Sequence, residues 1–143
     1  MTYYHYTTTP LCYSSAYDFR QLNERTNEMD VTTETFERDV IERSRELPVV
    51  VDFWAAWCAP CRMLGPAIEA EVAKREGTVE LVKIDVDAEQ QLAARYGIQS
   101  IPTVAVFSGG EPVTGFVGAH PAAAIGSFLD DTIEKHGAAV ESA

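Results

Sequence analysis

The sequence predicts an α/β protein in which helices cover both faces of a mixed central sheet, a three-layer α/β/α architecture. The run Val49–Trp54 is apolar, β-branched and aromatic, as expected of a strand buried on both faces. Strand and helix patterns alternate from this run to Gly97, which is typical of parallel strands joined by crossover helices. Two further strand patterns, at residues 103–107 and 112–117, flank a Ser-Gly-Gly-Glu turn and predict an antiparallel hairpin.

Start and stop signals place the remaining elements around this sheet. Val31 is expected to open a short edge strand, and Thr32 or Thr33 can cap the next helix because their hydroxyl groups accept hydrogen bonds from helical N–H groups. Pro66 lies inside the second helix and is expected to kink it, because proline cannot donate the helical hydrogen bond. The other predicted features are a strand at residues 78–85, helices at residues 88–96 and 121–136, and helix stops at Gly77 and Gly97.

One domain accounts for most of the 143 residues, preceded by a segment of different composition. Five of the six tyrosines fall within the first seventeen residues, mixed with Thr and Ser and without a periodic apolar face. We therefore expect residues 1–28 to be a disordered or loosely docked extension, residues 29–136 to form the domain and residues 137–143 to be a frayed tail. Cys12 and His5, in the extension, have no partner at useful spacing and are interpreted as bystanders.

Composition excludes some classes of partner. A net charge of −11 and a pI near 4.6 disfavour nucleic acid and anionic membranes, because binding to phosphate groups depends on clustered Lys and Arg. No apolar segment is long enough to span a membrane, and the N-terminus lacks a signal-peptide pattern. Three cysteines are an odd number, which argues against an oxidised secreted scaffold. These features predict a soluble, cytoplasmic protein. We separately expect it to be a monomer, an expectation that does not follow from its composition.

Two cysteines follow the apolar strand, separated by two residues. Pro60 suits the first turn of a helix, so Cys58 is expected at the helix N-terminus and Cys61 about one turn inside it. Free N–H groups and the helix dipole favour an anionic sulfur at the N-terminus, which predicts that the Cys58 thiolate forms near neutral pH. A thiolate that attacks disulfides needs a second thiol nearby to release it. We expect Cys58 to be exposed and to attack, and Cys61 to be sheltered and to resolve.

Several separate motifs resemble the thioredoxin family, in the family's order, between about residue 31 and residue 133. The resemblance implies the thioredoxin fold and a protein disulfide reductase, with disulfide-containing clients, a thioredoxin-reductase-type electron donor and no bound organic cofactor. One departure is Ala59, where the commonest members carry Gly, and it bears on redox poise and substrate range. The matching stretches are Val51-Asp52-Phe53-Trp54, Trp57-Cys58-Ala59-Pro60-Cys61, Lys83-Ile84-Asp85-Val86-Asp87, Tyr96-Gly97-Ile98, Ile101-Pro102-Thr103 and Phe116-Val117-Gly118.

The resemblance assigns roles around the dithiol. Asp52 interrupts an apolar strand, and a carboxylate buried without a partner has a raised pKa. The matching Asp in the family lies beneath the second cysteine and moves its proton, and Lys83 matches the partner of that Asp. The alternatives are a polar residue at a strand end for Asp52 and a solvated strand-edge residue for Lys83. We interpret Trp54 as part of the core.

A client-binding surface is also implied. The family's proline at the position of Pro102 is cis, and a fixed turn there would leave the Ile101 backbone free to hydrogen-bond an extended client segment beside Cys58. The alternative for these loop residues is ordinary packing, which is strongest for Val117. The predicted substrate-binding residues are Trp57, Ala59, Pro60, Ile101, Pro102, Val117, Gly118 and Ala119.

Three other functions remain open for the chain. A zinc site would need two further ligands, and Cys12, His5, His120 and His136 do not occur in pairs. A purely structural disulfide would close a loop too short to constrain much chain entropy. Residues 42–48 and 116–121 also resemble thioredoxin domains that precede tetratricopeptide repeats in bacterial chaperones, so a redox-linked holdase or client-binding module is the alternative function.

Overall fold

A computed structural model describes residues 28–137 of the chain, and in it five strands form one mixed sheet. The order across the sheet is β1-β3-β2-β4-β5; β1 and β2 lie parallel to β3, β4 lies antiparallel to β2, and β5 lies antiparallel to β4. The predicted hairpin and parallel unit are therefore confirmed. The strands are β1 (Glu28–Asp30), β2 (Val49–Trp54), β3 (Glu80–Asp85), β4 (Thr103–Ser108) and β5 (Glu111–Val117).

Within residues 28–137, three α-helices and one further helical segment cover the sheet. The first helical segment has π geometry over Glu37–Glu42 and tightens to a 3₁₀ turn at Arg43–Arg45. The last helix continues into a π turn at Ile133–Gly137. The α-helices are α1 (Ala59–Ala73), α2 (Gln90–Arg95) and α3 (Ala122–Thr132).

Apolar side chains form two cores, one on each face of the sheet. Phe36 of the turn before the first helical segment and Leu92 of α2 pack against alternate residues of β2, including Val51. On the other face, α1 and α3 supply Leu64 and Leu129, which pack in the same cluster as Val50. This arrangement confirms the predicted three-layer α/β/α architecture, and it leaves β2 buried from Val49 to Phe53.

The edge strand and first helix lie at different positions from those predicted. β1 ends at Asp30, so Val31 follows the edge strand and does not open it, although its N–H still donates to the Lys83 carbonyl oxygen (2.9 Å). Thr32 Oγ1 accepts the Thr35 N–H (3.3 Å) in the turn ahead of the helix. Phe36 occupies the N-cap position without a side-chain hydrogen bond, so the predicted threonine cap is wrong. The threonines stabilise a separate turn instead.

Glycines mark turns where the chain reverses. α1 ends at Ala73, so Gly77 does not close the helix; it lies in the following turn with a φ of 88°, a conformation that favours glycine. Gly109 and Gly110 form the two-residue loop of the hairpin with φ values of 65° and 93°, as a tight hairpin turn requires. Pro66 lies within α1, which continues past it to Ala73.

Parts of the sequence-based predictions fall outside this structure. The expected extension, with Cys12 and His5, precedes the described residues, and all of the expected tail except Gly137 follows them. Within residues 28–137, no helix is both long and apolar enough to cross a bilayer.

Candidate active site

Loops that carry the predicted site residues meet at one end of the sheet. β2 and β3 are parallel, with Trp54 opposite Asp85, so the segments that follow them leave from the same edge. β4 is antiparallel to β2 with Phe53 opposite Thr103, which brings the start of β4 to that edge as well. The end of β5 joins them because Val117 is opposite Thr103. The topology therefore brings the dithiol and the predicted client-binding loops together.

Cys58 and Cys61 form a disulfide at the N-terminus of α1. Cys58 is the N-cap residue, its Cα lies 5.3 Å from that of Cys61, and Pro60 occupies the first turn. The Cys61 N–H donates to Cys58 Sγ (3.2 Å), and the Cys58 N–H donates to the Ala55 carbonyl oxygen (3.2 Å). A helix N-terminus with an N–H directed at sulfur favours a thiolate on Cys58 once the disulfide is reduced.

Exposure does not distinguish the two cysteines. Cys58 is 4% exposed and Cys61 3% exposed, so the prediction of an exposed Cys58 and a sheltered Cys61 is wrong for the oxidised protein. Both pack in a small apolar cluster with Ala55, and Trp54, Val86 and Ile101 lie against it. Exposure therefore does not assign the attacking and resolving roles.

Asp52 is fully buried and faces α1. Side chains alternate between the two faces along β2. Val50 packs with Leu64 of α1, in what we call the α1 cluster, and Trp54 packs against the cysteines. Asp52 lies between them in sequence and points to the same face. Lys83 is its direct neighbour on β3, and Leu81, two residues earlier, is also part of the α1 cluster. The structure thus brings Asp52 and Lys83 to the face of the sheet that carries the cysteine helix.

Lys83 is largely buried and interacts with α1 and with Trp54. Its ammonium lies 3.5 Å from Glu69 Oε2 and 5.1 Å from the centroid of the Trp54 ring, and its side chain is 16% exposed. The alternative of a solvated strand-edge lysine is therefore wrong. Trp54 is half-buried and contacts both the cysteine cluster and this ammonium, so its interpretation as core alone is too narrow.

Trp57 projects from the loop before Cys58 and is held at its polar end. Its side chain is 68% exposed, and its indole N–H donates to Asp87 Oδ2 (2.8 Å). Arg62 fixes the same loop by donating to the Ala56 carbonyl oxygen (2.8 Å). Sequence reasoning did not single out Asp87, because the bond joins residues thirty positions apart in two loops.

The turn before β4 completes the predicted client-binding surface. The Ile101-Pro102 peptide bond is cis, as the family resemblance implies, and the Pro102 carbonyl oxygen accepts the Gly118 N–H (2.8 Å). Ile101 packs against the cysteine cluster, whereas Val117 is 58% exposed, which argues against core packing for Val117. Exposed members of the predicted surface are Trp57, Ala59, Pro60, Val117 and Ala119.

Potential metal ligands do not converge in the part of the chain that the structure describes. Among residues 28–137, no three His, Cys, Asp or Glu side chains form a group that could hold a metal ion. His120 instead contacts the carbonyl oxygen of Val117 (3.2 Å) and packs edge-on against Phe116.

Comparisons with known proteins agree with this geometry. The thioredoxin family model matches residues 27–131. The chain is 43% identical over 106 residues to thioredoxin 1 of Nostoc sp., covering 74% of this chain and 94% of that protein. It is 49% identical over 96 residues to thioredoxin of Streptomyces clavuligerus, covering 67% of this chain and 87% of that protein. Thioredoxin of Porphyra purpurea is 44% identical over 106 residues, covering 74% of this chain and 94% of that protein.

The matched region contains the strands of the sheet that lead to the site and the Cys58–Cys61 pair on which a disulfide reductase depends. The chain therefore belongs to the thioredoxin family and is a protein-disulfide reductase whose redox-active centre is Cys58–Cys61.

Proposed function

We propose that Cys58 attacks the client disulfide and that Cys61 resolves the resulting mixed disulfide. The observation that carries this order is the hydrogen bond from the Cys61 N–H to Cys58 Sγ at the start of α1. Cys58 is thus the sulfur that the helix N-terminus and a backbone N–H both stabilise as an anion. Cys61 lies inside the helix and not at its N-cap, which leaves it the partner thiol.

The reaction then balances in two thiol exchanges. Cys58 thiolate bonds to one client sulfur, the client S–S bond breaks, and the other client sulfur leaves as a thiolate that takes up a proton. Cys61, after losing its proton, bonds to Cys58 Sγ and displaces the first client sulfur as a thiolate, which also takes up a proton. The client gains two electrons and two protons, and the protein ends as the Cys58–Cys61 disulfide.

Asp52 is proposed to accept the Cys61 proton in the second exchange. Its support is burial on the β2 face that α1 covers, together with Lys83 as its neighbour in register. Burial removes water from the carboxylate and disfavours its charged form, so it has a high affinity for a proton. That affinity makes it an effective base for a thiol near neutral pH.

An extended client segment is proposed to lie along Ile101. No backbone hydrogen bond of Ile101 forms within residues 28–137, so its N–H and carbonyl oxygen are available to a strand-like peptide. Trp57 and Val117 would supply apolar contact on either side, and Ala59, Pro60, Pro102, Gly118 and Ala119 would complete the surface. Main-chain hydrogen bonds of this kind do not depend on the side chains of the client. They therefore allow the protein to bind clients of many different sequences.

The Cys58–Cys61 disulfide that forms in each turnover must be reduced before the next one. We propose a thioredoxin-reductase-type donor of two electrons, a monomeric state and a cytoplasmic location. The family supports the donor, and the net charge of −11 disfavours nucleic acid and anionic membranes as partners.

Mixed-disulfide trapping tests the proposed order of attack. We expect Cys61→Ser to accumulate a stable covalent complex with a disulfide client, observed on a non-reducing gel and by mass spectrometry of the linked peptide. Cys58→Ser should accumulate none, and Cys12→Ser is a control for the third thiol. Trapping through Cys61 would reverse the assignment.

The chaperone alternative is tested with the Cys58→Ser/Cys61→Ser double variant. A reductase loses insulin reduction completely in this variant and in the wild type without an electron donor. Suppression of client aggregation by the double variant would instead identify a holdase activity.

A further inference from the structure

One helix stripe faces the proposed proton acceptor. Cys61, Gly65 and Glu69 are spaced four residues apart in α1, so they lie one above the other on the same side of the helix. Lys83 meets that side: its ammonium is 3.5 Å from Glu69 Oε2. The stripe therefore joins the resolving cysteine at one end to a carboxylate at the other, with the lysine of β3 between them.

The Lys83 ammonium lies against α1 at the position of Gly65. A Cβ atom at residue 65 would be 3.4 Å from Lys83 Nζ and 3.9 Å from Glu69 Oε2, so the ion pair lies directly over this glycine. A glycine inside a helix costs roughly 0.5–1 kcal/mol relative to alanine. The neighbours of the ammonium include the Glu69 carboxylate and the Trp54 ring, and it lies close to α1 at Gly65.

We propose that Glu69 is a positioning residue for the disulfide exchange, acting on Asp52 through Lys83. The inference rests on the proton-accepting role of Asp52 proposed above. The Glu69 carboxylate draws the Lys83 ammonium toward α1 and offsets part of its positive charge. Less positive charge then acts on Asp52, so Asp52 binds a proton more strongly and is a better base for the Cys61 thiol.

Among residues 28–137, the charged and titratable groups that face Asp52 belong to β3 and α1. Lys83 lies beside it on β3, with Asp85 two residues further along the same face. On α1 the facing groups are Cys61 and Glu69, and Cys58 lies at the helix start. The neighbour on β4 is Val104, and the α3 residues of this core are apolar. Asp85 Oδ1 accepts the N–H of Asp87 (2.9 Å), so that carboxylate is engaged by its own turn.

The proton step is balanced within these groups. In the mixed disulfide, the Cys61 thiol gives its proton to the Asp52 carboxylate and becomes the thiolate that attacks Cys58 Sγ. Glu69 and Lys83 exchange no proton and no electron in this step. Their effect is on the pH at which Asp52 changes protonation state.

An NMR titration of Asp52 in the reduced protein tests the inference. The Asp52 side-chain ¹³C shift is followed against pH in the wild type, in Glu69→Gln and in Glu111→Gln. We expect the midpoint to fall by roughly half a pH unit in Glu69→Gln, because the charge of Lys83 then acts undiminished on Asp52. The control variant Glu111→Gln also removes one carboxylate, but at the exposed hairpin, where Glu111 pairs with Ser108 at the far end of β4. It should leave the Asp52 midpoint unchanged.

A second pair of variants tests the route through Lys83. In a Lys83→Met background, Glu69→Gln should shift the midpoint little, because the intermediary charge is gone. An unchanged midpoint in the single Glu69→Gln variant would overturn the inference, and so would a shift that persists in the Lys83→Met background. Insulin reduction by Glu69→Gln is measured in parallel. If this variant reduces insulin but its Asp52 midpoint is unchanged, the role of Glu69 is refuted and the reductase assignment stands.

Discussion

The indole N–H of Trp57 donates a 2.8 Å hydrogen bond to Oδ2 of Asp87, which ties the loop before Cys58 to the loop after β3. Asp87 is itself fixed, because its N–H donates to Asp85 Oδ1 (2.9 Å). Trp57 is 68% exposed, so this one polar contact orients a large apolar side chain at the edge of the dithiol. The orientation should matter more to clients than to folding.

Asp87→Ala is predicted to weaken client binding. We expect KM for a protein disulfide to rise roughly two- to fivefold, with kcat changed less, because an exposed hydrogen bond contributes about 0.5–1.5 kcal/mol. Steady-state kinetics and the melting temperature measure the two effects. Asp87→Asn keeps an acceptor oxygen and should stay near the wild type, and Asp131→Ala controls for loss of an exposed carboxylate. An unchanged KM in Asp87→Ala would show that the bond does not orient Trp57 for binding.

Asp52→Asn is predicted to stabilise the fold and to slow resolution of the mixed disulfide. Removing a buried charge should raise the free energy of unfolding by about 1–3 kcal/mol at pH 7. Lys83 is not left alone by the change, because its ammonium still lies 3.5 Å from Glu69. Client release, followed by stopped flow from pH 6 to 8, should slow at least about tenfold near neutral pH. Release that is as fast as in the wild type over this range would refute the proton-accepting role.

Much of the site could be predicted from the sequence because its signals are local. Pro60 and the two-residue spacing predict the dithiol at a helix start, and the apolar run of β2 predicts the strand that leads to it. The cis bond at Ile101-Pro102 could not be derived this way, since only about one X–Pro bond in twenty is cis. It came from the family resemblance alone.

Contacts between distant segments explain the remaining errors. Burial of Cys58 depends on Val86 and Ile101, which lie in the loops after β3 and before β4 and have no fixed spacing from the cysteine. The ion pair between Lys83 and Glu69 depends on how α1 is rotated against the sheet. The periodicity of apolar residues predicts which face of a helix is buried. It does not predict which strand residue that face will contact.

An ion cluster that links the end of α1 to α3 predicts acid sensitivity. Hydrogen bonds from Lys74 and then Arg75 hold the pKa of Glu71 below its ordinary value, and a hydrogen bond from Arg75 lowers the pKa of Asp130. Arg75 also donates to the Gly126 carbonyl oxygen (3.2 Å), where a side chain would meet Glu71. Both carboxylates bind protons less readily in the folded state. Their stabilisation is therefore complete at neutral pH and is lost as the pH falls below about 4.

Arg75→Met should accordingly destabilise the protein at pH 7 more than at pH 3. At pH 3 the unfolded carboxylates are largely protonated, so the arginine contributes less to the difference between folded and unfolded states. Urea unfolding at the two pH values measures the contrast. Lys135→Met removes an exposed partner of Asp131 and is expected to have little effect at either pH. Equal destabilisation by Arg75→Met at both pH values would show that its role is packing and not charge.

Truncation within the edge strand, at Met29, tests the predicted domain boundary. β1 contributes three register pairs, Glu28 with Leu81, Met29 with Val82 and Asp30 with Lys83, and a chain that starts at Met29 keeps two of them. It also keeps the hydrogen bond from the Val31 N–H to the Lys83 carbonyl oxygen. Most of the edge pairing, and all of both apolar cores, therefore remain.

We predict that the chain starting at Met29 melts within a few degrees of the full chain and reduces insulin within a factor of about two. A segment without a periodic apolar face buries little surface, whereas each ordered residue costs about 1–2 kcal/mol of backbone entropy. A chain starting at Asn27, where the family match begins, is the matched control because it restores the Glu28 pair. If both truncated chains lose stability, the extension contributes to the fold. If both gain activity several-fold, its tyrosines cover the surface around Trp57 and Ile101, since exposed tyrosines favour amphipathic contacts.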